Sequence, residues 1–319
     1  MKAITNYSYG GPEVLTYSDI ETPIPVGREV LIDIHATAIN PLDWHVMRGT
    51  PYFMRLMTGI LRPKKFNVLG ADISGKVIEI GSEVTQFEVG DEVFGDIFNF
   101  GLGGLAEYAC VSEEALVHKP ANLSFEAAAA VPVAALTAWH GLRKFGTEKW
   151  GKKVLINGAS GGVGTFAVQI ANSCRAHVTG VCSTRNVELV RSIGADHVID
   201  YTQNDLAENE EEYDLILDAV GNLSLRDYKN LLAPGGHCAV VGFGGMEHLI
   251  KVGLFGGRRI KMVDFKANQE DLLKIKELLE TGIISSVIDR TYPLAEAREA
   301  MIYLETSRAR GKVIITNKK

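Results

Sequence analysis

One stretch near the middle of the chain limits the fold more than any other. The apolar run Val154-Leu155-Ile156 leads into Asn157-Gly158-Ala159-Ser160-Gly161-Gly162-Val163-Gly164, and an apolar helix-forming segment, residues 165–171, follows at once. A strand that turns through glycines straight into a helix is the opening unit of a dinucleotide-binding sheet. In its G-x-G-x-x-G pattern the glycines permit a tight turn, close approach to a pyrophosphate and close helix–strand packing. The three positions fall on Ala159, Gly161 and Gly164, so the first glycine is replaced, but the strand before and the helix after supply the required context. A pyrophosphate would sit at the helix N-terminus, on free backbone N–H groups and the positive end of the dipole. That assigns Ser160, Gly161, Gly162, Val163 and Gly164 to cofactor binding; the competing reading is a glycine-rich loop without function.

The chain around this motif changes grammar at Ser124, a good N-cap ahead of Phe125-Glu126-Ala127-Ala128-Ala129-Ala130. Beyond it, apolar strand-like runs at 154–156, 177–181, 197–199, 215–217, 239–241 and 260–265 alternate with helical stretches at 163–174, 186–193 and 223–232. Gly194 and Gly235-Gly236 serve as helix stops. Six strands joined by crossovers imply a parallel, doubly wound sheet. The first third instead reads as antiparallel β, barrel or sandwich, with alternation at 30–38, short segments at 72–80, 91–94 and 107–111, and one helix near 42–48. The tail is mixed, with helices over 269–280 and 294–305 and strands over 286–292 and 312–316.

Composition narrows the function. The chain has 319 residues, enough for two domains, and a net charge of −6 with 46% hydrophobic and 23% charged residues, which excludes wholesale disorder and fibrous folds. With no basic block, nucleic acid is not an expected partner. Cys110, Cys174, Cys182 and Cys238 are scattered, as reduced thiols would be. No apolar run reaches the 18 or so residues of a membrane span. The first residues lack a secretory signal's apolar core, so a cytoplasmic protein without membrane insertion, acting on small molecules, is expected.

An NAD-binding sheet usually presents an acid about 20 residues past the glycine motif, at the end of the second strand. Here that point reads Cys182-Ser183-Thr184-Arg185-Asn186, with no acid. Hydroxyls and a guanidinium would attract a 2′-phosphate, which a carboxylate would repel, so NADPH is favoured, with Ser183, Thr184 and Arg185 as its contacts. Thr184 as a helix cap and Arg185 as a solvated charge form the alternative.

Several strings together resemble the medium-chain dehydrogenase/reductases, and within them the zinc-free NADPH quinone oxidoreductases: residues 10–15 (GGPEVL), 40–43 (NPLD), 69–75 (LGADISG), 90–93 (GDEV), 136–139 (LTAW), the glycine loop and 194–196 (GAD). Val181 to Ser183, Ile199 to Tyr201 and Ala309 to Lys312 resemble the reticulon-4-interacting and chloroplast-envelope quinone oxidoreductase branch. The resemblance implies a GroES-like β-barrel catalytic domain, residues 1–122 and 267–319, and a Rossmann NADPH-binding domain, residues 123–266. It would put Asn40, Thr137, Gly242 and Phe243 at the nicotinamide and Ser183, Arg185 and Tyr201 at the 2′-phosphate. Arg310 and Lys312 would reach toward the cleft, with surface charge as their alternative fate. Tyr201 could equally be core packing. A homodimer joined through the edge of the nucleotide sheet is also implied.

Zinc enzymes of this superfamily use a cysteine near the position of Asn40 and a Gly-His-Glu where this chain has Gly70-Ala71-Asp72, so no metal is expected. Without a Lewis acid, acceptors that delocalise the incoming charge, quinones and α,β-unsaturated carbonyls such as enones and enals, remain feasible. Asn40 and His45 are the catalytic candidates, His45 as a proton donor or else as a packing residue. Trp44, Tyr52, Phe53 and Phe98 could wall an apolar substrate pocket. The alternative functions are an enoyl-thioester reductase, with Arg62-Pro63-Lys64-Lys65 as its phosphate patch, and a cofactor-binding scaffold with little turnover.

Overall fold

The computed structural model describes residues 1–63, 67–143, 151–242, 245–263 and 265–317. Its chain divides into two compact units: Met1–Val133 with Ala267–Thr281 and Ser286–Lys319, and Ala134–Lys266 with Gly282–Ser285.

The first unit is the antiparallel one. Its strands are β1 (Lys2–Thr5), β2 (Thr16–Asp19), β3 (Glu29–Ile39), β4 (Asp72–Ile80), β5 (Glu92–Asp96), β6 (Tyr108–Ser112) and β7 (Leu116–His118). The helices α1 (Pro41–Arg48) and α2 (Met54–Thr58) lie between β3 and β4. β3 organises the sheet. Its first half buries Val30, Ile32 and Ile34 while Asp33 and His35 stay partly exposed; from Ala36 onward every residue is buried. The change has a local cause: α3 (Phe125–Ala129) covers the second half, packing Ala129 and Ala130 on Ala36 and Ala38. Ser124 caps α3 by accepting the Ala127 N–H at 3.2 Å. The unit therefore runs on to Val133, past the boundary at 122 that the sequence suggested.

The second unit begins within α4 (Pro132–Arg143) and continues β8 (Lys153–Asn157), α5 (Gly162–Ser173), β9 (His177–Cys182), α6 (Val187–Ser192), β10 (His197–Asp200), β11 (Tyr213–Asp218), α7 (Leu225–Leu231), β12 (Leu232–Val240), α8 (Met246–Phe255) and β13 (Ile260–Met262). All neighbours run parallel, in the order β10-β9-β8-β11-β12-β13. Counted from β8 this is 3-2-1-4-5-6, the doubly wound dinucleotide order, whose reversal point falls between β8 and β11. α5 is buried on eight successive residues from Gly164 to Ala171, which explains its unbroken apolar sequence. Two expectations need correction. Gly235-Gly236 do not stop a helix but lie inside β12, because α7 ends at Leu231 and the chain passes directly into the strand. α8, amphipathic and unread in the sequence, fills the connection before β13.

The chain then returns to the first unit with α9 (Gln269–Glu280), β14 (Ile288–Pro293), α10 (Ala297–Glu305) and β15 (Lys312–Thr316). β15 pairs with β14 on one side and with Ala36 to Ile39 of β3 on the other, completing the order β14-β15-β3-β4-β5-β7.

Candidate active site

The glycine loop leaves β8 at Asn157 and enters α5 at Gly162. Gly158, not Ala159, takes the left-handed conformation, with φ +80°. The tight-turn glycine of the pattern is therefore present one residue earlier than the spacing placed it, and Ala159 is a buried packing residue. Gly164 is obligatory for another reason, since a Cβ there would stand 2.1 Å from the Gly158 carbonyl oxygen. A Cβ on Gly161, the N-cap, would meet only that same oxygen, at 3.4 Å, so the space before the first turn of α5 is open. Open space in front of unpaired helix-start N–H groups suits a pyrophosphate.

Beyond β9, Ser183 caps a short 3-10 turn, Thr184–Asn186; Ser183 is half-buried, Thr184 and Arg185 are exposed, and Tyr201 is 60% exposed. Tyr201 is thus not a core residue. Thr184 neither caps α6 nor offers its proton outward, because its hydroxyl donates to Asp200 Oδ2 at 2.6 Å. Asp200 ends β10 opposite Cys182 and also accepts from Thr202 N, Thr202 Oγ1 and Gln203 Nε2. These bonds, the Thr184 hydroxyl first, hold its carboxyl below the usual range. An acid missed in the sequence therefore stands beside the 183–185 segment. It escaped notice because it belongs to the third strand, but its lone pairs are taken up by four donors. Asn186, buried, donates to Ser160 Oγ at 2.9 Å and ties this segment to the glycine loop.

At the reversal point, Asn157 Nδ2 donates to Asp218 Oδ1 at 2.9 Å and to Asn222 Oδ1 at the same distance. Asp218, fully buried, also accepts Val220 N–H, Gly221 N–H and the Tyr228 hydroxyl, and so fixes the turn after β11. Gly242 passes this turn so closely that a Cβ would stand 2.1 Å from the Val220 carbonyl carbon. Thr137 lies buried on α4. Phe243 is outside the described residues.

In the first unit a buried polar network surrounds Asn40. Lys312, on β15, is 3% exposed, which rules out surface charge as its fate. Its ammonium donates to Asp72 Oδ2 at 2.9 Å and to Asn40 Oδ1. Asn40 Nδ2 returns a bond to Asp72 Oδ2 at 2.9 Å, and Asp72 Oδ1 accepts Val133 N–H at 2.7 Å. Asp43, at the start of α1, accepts Asn40 N–H and Gly70 N–H, one on each oxygen. Burial nevertheless raises its carboxyl to about 6. Asp96 stands opposite Asp72 in the strand register. Its Oδ1 accepts Phe98 N–H, its Oδ2 is buried without a partner, and burial, with the charge of Asp72, raises it to about 7. Arg310 is exposed, its backbone N–H bonded to Asp289.

His45, on α1, has Nδ1 at 2.8 Å from the Thr50 carbonyl. A carbonyl only accepts, so Nδ1 carries the proton, and burial lowers the ring's basicity and keeps it neutral. Trp44 stacks on it with centroids 3.7 Å apart. Tyr52 and Phe53 are exposed at the surface, and Phe98 is half-buried against the cluster that holds Val46, Leu69 and Leu105. Lys64 and Lys65 of the proposed phosphate patch lie outside the described residues. Among the described residues no helix is long and apolar enough to cross a membrane.

Known proteins match this arrangement throughout. Residues 27–121 match the alcohol dehydrogenase GroES-like domain and residues 193–315 the zinc-binding dehydrogenase family. The mitochondrial NAD(P)H oxidoreductase RTN4IP1 of Mus musculus is 36% identical over 96% of this chain and 87% of its own length. The 2-methylene-furan-3-one reductase of Solanum lycopersicum is 35% identical over 99% and 79%. Among solved structures, the quinone oxidoreductase from Coxiella burnetii superposes with a TM-score of 0.91 at 32% identity, covering 100% of this chain and 99% of that one. A GroES-like unit and a 3-2-1-4-5-6 nucleotide sheet in one chain define a medium-chain dehydrogenase/reductase. Within that superfamily the chain belongs to the quinone oxidoreductase family, a group of nicotinamide-dependent oxidoreductases.

Proposed function

We propose that this protein is an NADPH-dependent reductase of quinones or α,β-unsaturated carbonyls that works without zinc. The observation that carries the reading is the engagement of Lys312 with both Asn40 and Asp72. Two of the positions at which zinc relatives build their metal site are here occupied in holding an ammonium, while Ala71 offers no donor at all. Acceptors that spread the incoming charge over their own conjugated system do not depend on a Lewis acid.

The residues present suit a dinucleotide. Gly161 to Gly164 would hold the pyrophosphate, Ser183, Arg185 and Tyr201 the 2′-phosphate end, and Asn40, Thr137, Gly242 and Phe243 the nicotinamide end. The cofactor, once bound, supplies a hydride. The chain's own contribution is placement: Asp218 fixes the turn facing the glycine loop, and Lys312 with Asp72 fixes the Asn40 amide. Trp44 and Phe98 would offer the acceptor an apolar wall. Proton delivery falls to water on this reading, because the neutral His45 ring has committed its N–H to Thr50.

The name of the tomato relative supports an enone as acceptor, and that of the Coxiella structure a quinone. A homodimer through the β13 edge belongs to the same proposal, supported by the exposed Met246, Ile250 and Leu254 that recur every four residues along neighbouring α8. So does residence in the cytoplasm, which cell fractionation tests against the mitochondrial location in the name of the mouse relative. The deciding experiment for the reaction follows NADPH absorbance against a panel of quinones, enones, enals and enoyl thioesters. Turnover confined to thioesters would replace the assignment, and no turnover with any acceptor would favour a scaffold.

A further inference from the structure

Asn186 joins the two loops that would flank a bound dinucleotide. Ser160 follows β8 and Ser183 follows β9, neighbouring parallel strands of a sheet whose carboxyl ends face the ligand crevice. The Asn186 side chain is buried and reaches both serines: Nδ2 donates to Ser160 Oγ at 2.9 Å and to Ser183 Oγ at 3.3 Å. Its backbone N–H donates to the Ser183 carbonyl at 2.8 Å, which holds the short turn that aims the amide. Both amide hydrogens are thus spent on serine oxygens, while Oδ1 is buried without a partner. An amide that offers N–H groups to two hydroxyls takes up a lone pair on each and leaves each O–H free to turn elsewhere. Among the described residues neither hydroxyl donates to a protein acceptor.

We propose that Asn186 is a positioning residue that sets both serine hydroxyls as donors to phosphate, Ser160 to the pyrophosphate and Ser183 to the 2′-phosphate. A phosphate oxygen only accepts, so the direction of each O–H decides whether the serine attracts the anion or repels it. With an acceptor in place of the amide N–H groups, both protons would be drawn inward and serine lone pairs would face the phosphates. One buried side chain therefore couples the part of the site common to NADH and NADPH with the part that tells them apart. This role rests on the proposed reading of the glycine loop and the 183–185 segment as a dinucleotide site.

Calorimetric titration of the full chain with NADPH and NADH, run across a mutant cycle, tests it. In the parent, Ser160→Ala/Ser183→Ala should weaken NADPH at least about tenfold, and NADH less, because NADH meets Ser160 alone. Asn186→Asp supplies two acceptors and no N–H, so the serine protons turn inward. NADPH should then bind at least about tenfold more weakly, and adding the serine pair of changes should cost less than about twofold more. A merely structural Asn186, or simple repulsion by the new carboxylate, would leave the serine pair as costly as in the parent, and that result overturns the proposal. Thermal melting of the unliganded chains shows whether the Asp variant folds. If it does not, Asn186→Ala runs the same cycle, with the cost of the serine pair falling below about threefold; its persistence in full overturns the proposal too. So does a serine pair that costs nothing in the parent. A parent that binds neither cofactor would remove the dinucleotide reading, and the role of Asn186 with it.

Discussion

Asp72 and Asp96 face each other across β4 and β5, and Asp72 alone of the two bonds the Lys312 ammonium. One cation is thus divided unequally between two buried acids. Asp96, with one accepted N–H and one unpartnered oxygen, retains its proton well above the ordinary carboxyl range.

That asymmetry has a signature in pH. The Asp96 carboxyl is raised from 3.8 to about 7 on folding, so the folded state holds the proton more tightly than the unfolded one. Its contribution to stability is complete below 3.8 and is lost as pH rises through about 7. Asp43, raised to about 6, acts with the same sign. Asp96→Asn imitates the protonated acid, so its gain in stability over the parent should be small near pH 4, grow as pH rises from about 4 to about 7 and level off above that at about 4 kcal/mol. Urea unfolding of parent and variant near pH 4 and near pH 8 reads the difference directly. Equal gains at both pH values would deny the raised carboxyl.

Removing the cation should be costly. Lys312→Met leaves Asp72 buried and uncompensated, for a loss of about 3–5 kcal/mol by denaturant unfolding. Lys312→Met/Asp72→Asn should recover most of that loss. Additive losses in the double variant would mean that the two residues act separately.

The 183–185 segment sets cofactor choice on the proposed reading. NADPH should bind at least about tenfold more tightly than NADH, about 1.4 kcal/mol, and Arg185→Glu should cancel or reverse the preference. Thr184→Ala should change the ratio little, because that hydroxyl serves Asp200. Calorimetric titration with both cofactors decides between this and equal affinity.

With NADPH the protein should reduce small quinones or enones, and NADP should support no measurable oxidation of simple alcohols. Replacing His45 by Phe should slow enone reduction by less than about tenfold, against the roughly 100-fold expected when a general acid is lost. A loss of the larger size, confined to enones, would restore His45 as the proton donor.

Elemental analysis of the purified chain should find no stoichiometric zinc, since Asn40 and Ala71 replace a thiolate and an imidazole at the expected ligand positions. One chelator-sensitive zinc per chain would defeat the proposed mechanism.

Much of this architecture was legible in the sequence because it is written in local patterns. The Gln269–Glu280 helix and the Asp72–Ile80 and Lys312–Thr316 strands stand where periodicity put them. The strand–glycine–helix unit was equally plain, yet its turn glycine was misplaced by one, since spacing alone does not reveal which residue takes φ +80°. Asp96, Asp200 and the burial of Lys312 were not legible. Each gains its meaning from a partner on another strand, and a single sequence carries no record of cross-strand register. α8 was missed because glycines bracket it at both ends and resemble a loop.

β15 brings Lys312 to Asn40 across 272 positions of sequence and closes the sheet against β3. On the ribosome the six strands of the nucleotide unit, all within residues 153–262, emerge early enough to pair among themselves. The Ala36 to Ile39 edge of β3 has no such option and waits, unpaired and apolar, until translation reaches residue 316. For most of its synthesis the nascent chain therefore displays an open strand edge, the kind of surface at which mispairing with another chain begins.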